Sequence, residues 1–483
     1  MYRAILHSFI TSLFVFTLVS CGGGGSAGIG GTGITSGGTI TGFGSIFVNG
    51  IEYDTDAAVV SGDLMNVSDL KLGMVVTVRG QLNSGTTTGK AESIVVDIEL
   101  KGAITTATVL DPKTNTKSFT VLGRNVIVSD SETVFDGISN FAFDNIAIND
   151  VVEVSGYLDA SGNLQASRAE KKGTLSLGNT EIEINGTYVR ALSAVSFELM
   201  VGGNTLTINN PNALTVPGGF SSGLRLEVEG IQSTNTEIEA TSIELDEDAI
   251  SASDDEVEIE GLITNYVSNA NFTVNGQQVN ASQASLNPSN LILADNVKVE
   301  VEGNLLNGIL VAEKVEARSG AIEVKANVSS VDTVNKTITL TINGQDITFS
   351  TNNQTKLEDD DQEIEPFTLS DINNNDYLII KAYDDNGTYI ATDVKRKEDA
   401  LDAEIKIEGM VSAIDTSTPG QETVTILGVT YPTDNMTIFK IDDGSKTRTE
   451  FFTALQSGDT VELEDQKSNG MLDGIADELD LKN

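Results

Sequence analysis

Valine, isoleucine and leucine alternate with charged residues in short runs along much of this chain. In the clearest run, residues 297–303, Val297, Val299 and Val301 alternate with lysine and glutamate before Gly303. A period of two is typical of a β-strand with one face in a core and the other in water. This run therefore predicts an amphipathic strand with buried valines and solvent-exposed charges.

The run recurs six times, which predicts a tandem repeat. Each copy ends at an aligned position, usually glycine, and these positions recur at intervals of about 73 to 83 residues: Gly80, Gly156, Gly230, Gly303, Ala382 and Asp465. An alanine follows each copy at a similar offset: Ala91, Ala166, Ala240, Ala312, Ala391 and Ala476. A hydrophobic segment ending in glycine precedes each copy, as at residues 272–276. Three markers in one order indicate six related units.

The fourth unit predicts about five strands per unit. Its strands are expected at residues 257–263, 271–274, from 279 onward, 297–301 and 309–315, with Asn275-Gly276 as a hairpin turn because both residues tolerate positive φ. No stretch of the mature chain sustains a helical period, and short helical segments are expected only at sites such as residues 66–70 and 449–456. The fold class is therefore all-β. A small OB-like barrel is the preferred architecture, and a curled sandwich is the alternative.

These markers divide the chain into a leader, a tether and six units. The expected boundaries are a signal peptide at 1–20, a flexible glycine-rich tether at 21–37, and β repeats at 38–99, 100–173, 174–248, 256–319, 320–398 and 403–483. Polar joints at residues 246–256 and 395–402 are expected to be solvated linkers. The six units are expected to follow one another as a string.

The N-terminal segment carries a signal for lipid attachment. Arg3 precedes a largely apolar stretch that ends Leu18-Val19-Ser20-Cys21, and this ending resembles the lipobox of bacterial lipoproteins. The resemblance implies that Cys21 is lipidated and becomes the first residue of the mature chain. Two or three acyl chains suffice for stable anchoring. Gly22 after the cysteine resembles the default outer-membrane destination.

A wider resemblance begins after the tether. Residues 42–50, Gly-Phe-Gly-Ser-Ile-Phe-Val-Asn-Gly, and the later Gly-x-x-Val-x-Val-x-Gly and Ala-x-x-Ile elements are similar to those of bacterial lipoproteins built from tandem repeats of a domain of unknown function. The chain departs from this pattern at Ala382 and Asp465, where glycine is expected. The resemblance implies architecture and envelope location, and it implies no activity.

Composition removes several classes of function. The chain has 71 acidic and 29 basic residues, a net charge of −42, so long-range repulsion disfavours nucleic acid and anionic lipid as partners. Cys21 and His7 are its only cysteine and histidine, and His7 falls within the predicted signal peptide. The mature chain therefore lacks the groups for Ser-His-Asp or Cys-His catalysis and for histidine-cysteine zinc sites. Carboxylate pairs are present, but tryptophan, which often lines sugar clefts, is absent. We expect no enzyme.

A calcium loop is only partly formed in the sequence. Asp371, Asn373, Asn375 and Asp376 match the oxygen-rich start of such a loop, but glycine is missing at its sixth place and glutamate at its twelfth, where Ala382 stands. We therefore expect no metal site, with these four residues as the candidates if calcium binds.

Two functional hypotheses follow. The first is a lipid-anchored envelope protein that acts as a non-catalytic structural or binding module, with a protein or glycan as ligand. The alternative is a calcium-dependent adhesin or envelope scaffold. Lipid attachment at Cys21 would anchor either one to the membrane, and dependence of stability on metal would separate them.

Overall fold

The computed structural model describes residues 33–96, 98–111, 114–246, 250, 256–360, 364, 366–397, 404–466 and 472–482. Cys21 and most of the predicted tether lie outside this part of the chain. The described residues are almost entirely β-strand, with one α-helix, α1 (Arg448–Ala454). The 3-10 turns are Val67–Asp69, Phe143–Asn145 and Leu369–Asp371. None of the described helices is long and apolar enough to cross a membrane.

The strands form six barrels in chain order. Barrel 1 contains β1 (Gly33–Gly42), β2 (Ile46–Val48), β3 (Ile51–Asp54), β4 (Val59–Gly62), β5 (Val75–Leu82) and β6 (Thr88–Val96), and barrel 2 contains β7 (Leu100–Ala103), β8 (Val109–Asp111), β9 (Thr116–Val121), β10 (Arg124–Ser129), β11 (Val134–Gly137), β12 (Asp150–Leu158) and β13 (Leu164–Thr174). Barrel 3 contains β14 (Glu181–Ser193), β15 (Ser196–Val201), β16 (Asn204–Asn209), β17 (Arg225–Gln232) and β18 (Glu237–Leu245), and barrel 4 contains β19 (Glu256–Ser268), β20 (Asn271–Val274), β21 (Gln277–Asn280), β22 (Ser285–Asn287), β23 (Lys298–Leu306) and β24 (Ile309–Ala317). Barrel 5 contains β25 (Ile322–Asp332), β26 (Thr337–Ile342), β27 (Gln345–Ser350), β28 (Lys356–Asp359), β29 (Tyr377–Asp385) and β30 (Thr388–Lys397), and barrel 6 contains β31 (Ile405–Asp415), β32 (Thr423–Ile426), β33 (Val429–Pro432), β34 (Ile438–Ile441), β35 (Gly444–Lys446), β36 (Thr460–Asp465) and β37 (Glu478–Lys482).

The barrels share the strand order of a five-stranded OB-like barrel. In barrel 4, β19, β20 and β21 form an antiparallel meander, and β21 then pairs in parallel with the last strand, β24. β23 pairs antiparallel with both β24 and β19, which closes the barrel. These are the five strands that the sequence predicted, and β22 is an additional short strand beside β24. The predicted short helices are present as Val67–Asp69 and α1.

The glycine and alanine markers are partners across a β-bulge. Gly156 pairs with Ala166, and the register shifts just before this pair. The same shift precedes Gly80–Ala91, Gly230–Ala240 and Gly303–Ala312. A Cβ added at Gly156 would lie 2.1 Å from the carbonyl oxygen of Gln165, a distance that real Cβ atoms essentially never show. The glycine is therefore required by close backbone approach, as is common at bulges.

Barrels 5 and 6, which lack the glycine of the repeat, differ from each other at the position of this bulge. In barrel 5 the bulge is retained with Ala382 paired to Ala391. In barrel 6 the ladder between β36 and β37 runs from Thr460 to Glu464 without a register shift, and Asp465 pairs with Ile405 of β31 instead.

The third marker is a two-residue hairpin turn. Asn275 and Gly276 have φ of 45° and 80°, as the predicted hairpin requires. The corresponding pairs in the other barrels also have positive φ at both residues: Asn49-Gly50, Leu122-Gly123, Gly202-Gly203, Asn343-Gly344 and Leu427-Gly428.

The barrels associate in three pairs through their first strands, so they do not form a simple string. β7 pairs antiparallel with β14, and β25 with β31, so barrels 2 and 3 share one sheet and barrels 5 and 6 share another. β1 pairs in parallel with β19, which joins barrel 1 to barrel 4 across more than two hundred intervening residues. Residues 33–37, within the predicted tether, take part in β1, and Gly37 lies beside Ile259.

The hydrophobic cores follow these pairs only in part. One continuous core extends through barrels 2 and 3, and another through barrels 5 and 6. Barrels 1 and 4 keep separate cores although their sheet is shared. The cores are built mainly from valine, isoleucine and leucine, and buried residues such as Val299 and Val301 confirm the apolar half of the strand prediction.

Candidate functional site

The charged face of the first and fourth strands is buried between barrels. Sequence alternation predicted that Glu300 would be in water, but Glu300 is 3% exposed. That prediction is wrong because other barrels pack against this face, as where Gln354 of barrel 5 accepts a hydrogen bond from Arg318, the partner of Glu300. The charges of Glu260 and Glu300 are tolerated there because each has an oppositely charged partner, which is the usual condition for burying a charge.

Barrel 4 supplies the central ion pairs. The Lys298 ammonium lies 2.7 Å from the Glu260 carboxylate, and the Arg318 guanidinium pairs with Glu300. The Thr39 hydroxyl of barrel 1 donates to Glu260 at 3.1 Å and lies 2.9 Å from the Tyr157 hydroxyl of barrel 2. Barrels 1, 2 and 4 therefore meet at one hydrogen-bonded point, although among the described residues no strand ladder connects barrel 2 to barrel 1 or barrel 4.

Barrels 2 and 5 meet through lysines. Lys395 is 1% exposed and donates to the Thr133 carbonyl at 2.9 Å. It also pairs with Glu358 at 3.1 Å. Lys397 lies 2.9 Å from Asp130, and Lys356 donates to the Glu132 carbonyl. The prediction that residues 395–402 form a solvated linker is thus wrong for 395–397, which belong to β30, and residues 398–402 lie outside the described part.

A cavity of about 290 Å³ lies where barrels 1, 2, 4 and 5 meet. Its lining contains two tyrosines, several hydroxyl and amide side chains, three cationic residues and four acidic ones. The polar members include Thr39, Thr41, Tyr157, Gln165, Asn296, Ser319, Asn352, Gln354 and Tyr383, and the charged members are Glu132, Asp159, Glu260, Lys298, Arg318, Lys356 and Asp393. Contributions from four barrels mean that the cavity exists only in the assembled chain.

The polar lining is held rigidly by contacts between its own members. Arg318 donates to the Gln354 amide oxygen at 2.6 Å, which connects barrels 4 and 5. The Asn296 amide oxygen of barrel 4 accepts from the Ala160 backbone amide at 2.8 Å, which connects barrels 4 and 2. Asp159 accepts from the Gln165 side chain at 3.1 Å. Such pre-positioned donors and acceptors are typical of small-molecule sites.

Two carboxylates of the lining, Glu260 and Asp393, are stabilised in the ionised form. Burial favours the neutral form of Glu260, but Lys298 and Arg318 outweigh burial and hold the pKa of Glu260 below its ordinary value. Burial likewise opposes ionisation of Asp393, and Lys356 and Lys298 outweigh it and lower the pKa of Asp393. Burial and Glu260 raise the pKa of Tyr157 well above its ordinary value. These three groups are held in fixed protonation states and are poorly suited to proton transfer near neutrality.

The sequence candidates for calcium lie elsewhere, on the turn before β29. Asp371 accepts hydrogen bonds from the backbone amide and hydroxyl of Thr368, so it caps the 3-10 turn. Asp376 accepts from the Asn373 amide at 2.9 Å and lies 3.5 Å from Arg396. Asn375 has a φ of 72°, a turn conformation. The contacts are those of a capped turn, and the expectation that no metal binds at these four residues stays untested.

Sequence analysis did not identify the cavity residues as a site. One part of the site is visible in the sequence pattern, because charged residues fill the outward positions of β19 and β23. A single strand, however, does not reveal whether its outward face meets water or another barrel.

These features define a class: a chain of repeated small OB-like barrels that assemble around a shared polar interior. The family described as Domain of unknown function (DUF5666) matches residues 34–94, 101–170, 260–316, 325–395 and 408–473. The chain therefore belongs to this family. Barrel 3 lies outside the matched ranges, but its strands are connected in the same order.

Comparisons with curated proteins and with solved structures add little to this family assignment. No curated protein matches the chain. A solved structure titled "drosophila Unr CSD456" shares 15% sequence identity, covering 45% of this chain and 98% of its own, with a TM-score of 0.14. A likeness at that TM-score carries no argument about this chain.

Proposed function

We propose that this chain is a lipid-anchored envelope protein whose assembled barrels act as a non-catalytic binding module. Its ligand is a small, uncharged, hydroxyl-rich molecule of the glycan class, held in the cavity between barrels 1, 2, 4 and 5. The observation that carries the proposal is the composition of the cavity lining, which mixes tyrosines, amides and hydroxyls from four barrels.

Charge supports an uncharged ligand. The chain as a whole carries a net charge of −42, yet three cationic side chains accompany four acidic ones around the cavity. A site for a cation would leave carboxylates unpaired, and a site for an anion would leave lysine or arginine unpaired. Here Glu260 and Lys298 neutralise each other, as do Asp393 and Lys356. Directional hydrogen bonds then remain as the basis of selection.

The volume supports a small ligand. A cavity of about 290 Å³ is at the lower end of ordinary ligand pockets, so it suits roughly a mono- or disaccharide unit. Such a unit carries several hydroxyl groups that donate and accept, which matches amide side chains such as Asn352 and Gln354.

The ionised state of two cavity carboxylates favours binding over catalysis at this site. Glu260 and Asp393 are stabilised in the ionised state, whereas general acid catalysis of sugar hydrolysis needs a carboxyl group with a raised pKa.

The binding proposal is tested by narrowing the cavity. Ser319 lines the cavity and is only partly buried, so Ser319→Tyr should occupy ligand space without disturbing a core. We expect neutral envelope-type saccharides to bind the full chain by ligand-observed NMR or calorimetry, and Ser319→Tyr to weaken binding by about tenfold or more. Ser282→Tyr is the matched control, because Ser282 is an exposed serine of the same barrel outside the lining. Absence of saccharide binding to the wild-type chain, or equal binding by both variants, would contradict the proposal.

The anchoring part of the proposal depends on Leu18–Cys21, which the structure does not describe. Cys21→Ser should abolish lipid attachment and release the chain from the membrane fraction. Normal processing with continued membrane association would overturn it.

The alternative function, a calcium-dependent adhesin or scaffold, has no support from the turn at residues 371–376. A different group of carboxylates, Asp63, Glu183 and Glu227, is a better candidate for binding a metal ion.

A further inference from the structure

Three carboxylates from two barrels converge where barrel 1 meets barrel 3. Asp63, which follows β4, Glu183 of β14 and Glu227 of β17 each place an oxygen atom within 4.8 Å of the others. Among the described residues, no strand ladder connects barrel 1 to barrel 3. The carboxylates therefore lie at a junction that no strand ladder holds together, where Asp63 also accepts a hydrogen bond from the Ile98 backbone amide at 2.5 Å.

A second observation distinguishes this group from an ordinary acidic surface. Glu183 is 7% exposed, and its Oε1 atom has no hydrogen-bond partner. A buried, unpartnered carboxylate oxygen is costly unless a ligand or proton satisfies it. The nearest ladder neighbour of opposite charge is Lys101 of β7, which lies opposite Glu183, but its ammonium is 3.7 Å from Glu181 instead.

A fourth oxygen lies on the same face. Asn185 follows Glu183 by two residues in β14, so the two side chains share a face of the sheet. Asn185 stands directly opposite Glu227 in the ladder between β14 and β17. It is 7% exposed, and its amide oxygen Oδ1 is also without a hydrogen-bond partner.

From this geometry we infer that Asp63, Glu183 and Glu227, with Asn185 beside them, form a calcium site that ties barrel 1 to barrel 3. Carboxylate and amide oxygens are the ligands of hard divalent cations. Calcium binds oxygen at about 2.3–2.6 Å, so oxygens on opposite sides of one ion are about 4.6–5.2 Å apart. Oxygens within 4.8 Å of one another fit this span. A group of several protein oxygens favours calcium, because magnesium usually keeps several water ligands.

The charges agree with the geometry, because three acidic side chains meet at one junction and a divalent cation neutralises two of their charges. This site is separate from the central cavity, and the inference does not depend on the ligand proposed there.

The test uses calcium alone as the probe, with the full chain in detergent. We expect calorimetry to show one specific calcium site, and Glu183→Gln to lower its affinity by about tenfold or more, because one of the charged ligands is lost. Glu227→Gln should act in the same direction. Glu237→Gln is the matched control: Glu237 is an exposed glutamate at the start of β18 in the same barrel, outside this group, and its replacement should change the affinity by less than about threefold.

Thermal melting separates a specific site from charge screening. Calcium should raise the melting temperature of the wild-type chain beyond sodium chloride of equal ionic strength. Calcium should raise the melting temperature of Glu183→Gln little, because one of its ligands is lost. A wild-type chain without a calcium-specific shift, or a Glu183→Gln variant that keeps the full shift, would overturn the inference. Tighter binding of magnesium than of calcium would overturn the choice of ion.

Discussion

At the scale of single residues, this protein buries charges that its sequence pattern places in water. Lys395 and Glu358 are almost fully buried and lie 3.1 Å from each other. Pairs of this kind add little net stability compared with an apolar contact of equal size, but loss of one partner is costly. They therefore favour one arrangement of barrels over others, since a displaced barrel would leave charges unpaired.

Asp465 is a residue whose unusual position is visible in the sequence but whose environment is not. It replaces the repeat glycine, and the structure buries it completely in barrel 6. Burial, with Asp473 and Asp477 nearby, raises the pKa of Asp465 to about 6. The folded state thus favours the protonated form more strongly than the unfolded state does.

The raised pKa of Asp465 predicts the direction in which stability changes with pH. A raised carboxyl pKa contributes stability at pH values below the unfolded pKa of about 3.9, and that contribution is lost as the pH rises through about 6. Asp465→Asn removes the titration, so we expect the variant to be more stable than wild type at pH 7.5 by at most about 3 kcal/mol. The difference should shrink toward zero near pH 4. Urea unfolding followed by circular dichroism at both pH values measures it, and a difference independent of pH would contradict the assignment.

At the scale of strands and turns, the sequence was highly informative. The glycine and alanine markers proved to be one bulged pair, and the third marker proved to be the turn between the second and third strands. Both features depend on local backbone geometry, which restricts residue choice directly. Leu122 and Leu427 show the limit of such reasoning, because leucine occupies a positive-φ turn position that asparagine or glycine normally fills.

The close backbone approach at the β-bulge of barrel 2 leads to a testable prediction. Gly156→Ala places a Cβ against the carbonyl of Gln165 and should destabilise the protein by about 1–3 kcal/mol. Gly173→Ala, in the neighbouring strand β13, is the control because no atom lies within 4 Å of its added Cβ. That variant should stay within about 0.5 kcal/mol of wild type. Equal destabilisation by both variants, measured by denaturant unfolding, would show that close approach is not the reason for the glycine.

At the scale of the whole molecule, the sequence predicted the number of barrels but not their arrangement. A strand pattern specifies which residues face a barrel's own core, since that requirement is local. The parallel pairing of β1 with β19 and the contact of Lys395 with barrel 2 join residues far apart in the chain. No periodicity marks such contacts, so neither the central cavity nor the carboxylate group between barrels 1 and 3 could be located beforehand.

The central claim is that the six barrels form one particle, with a polar interior shared by barrels 1, 2, 4 and 5. Barrel 2 illustrates this, because it contacts barrel 1 through Ser167 and Gly73, barrel 4 through Ala160 and Asn296, and barrel 5 through Thr133 and Lys395. A string of barrels that contact only their chain neighbours would lack all but the first of these contacts, and it would lack the cavity.

Small-angle X-ray scattering of residues 33–483 tests this claim most directly. A compact chain of this length should have a radius of gyration of about 22 Å and a single-peaked distance distribution. A string of six barrels should give roughly twice that radius and a distribution with a long tail. The packing described here predicts the compact value, and an extended particle at low protein concentration would contradict it.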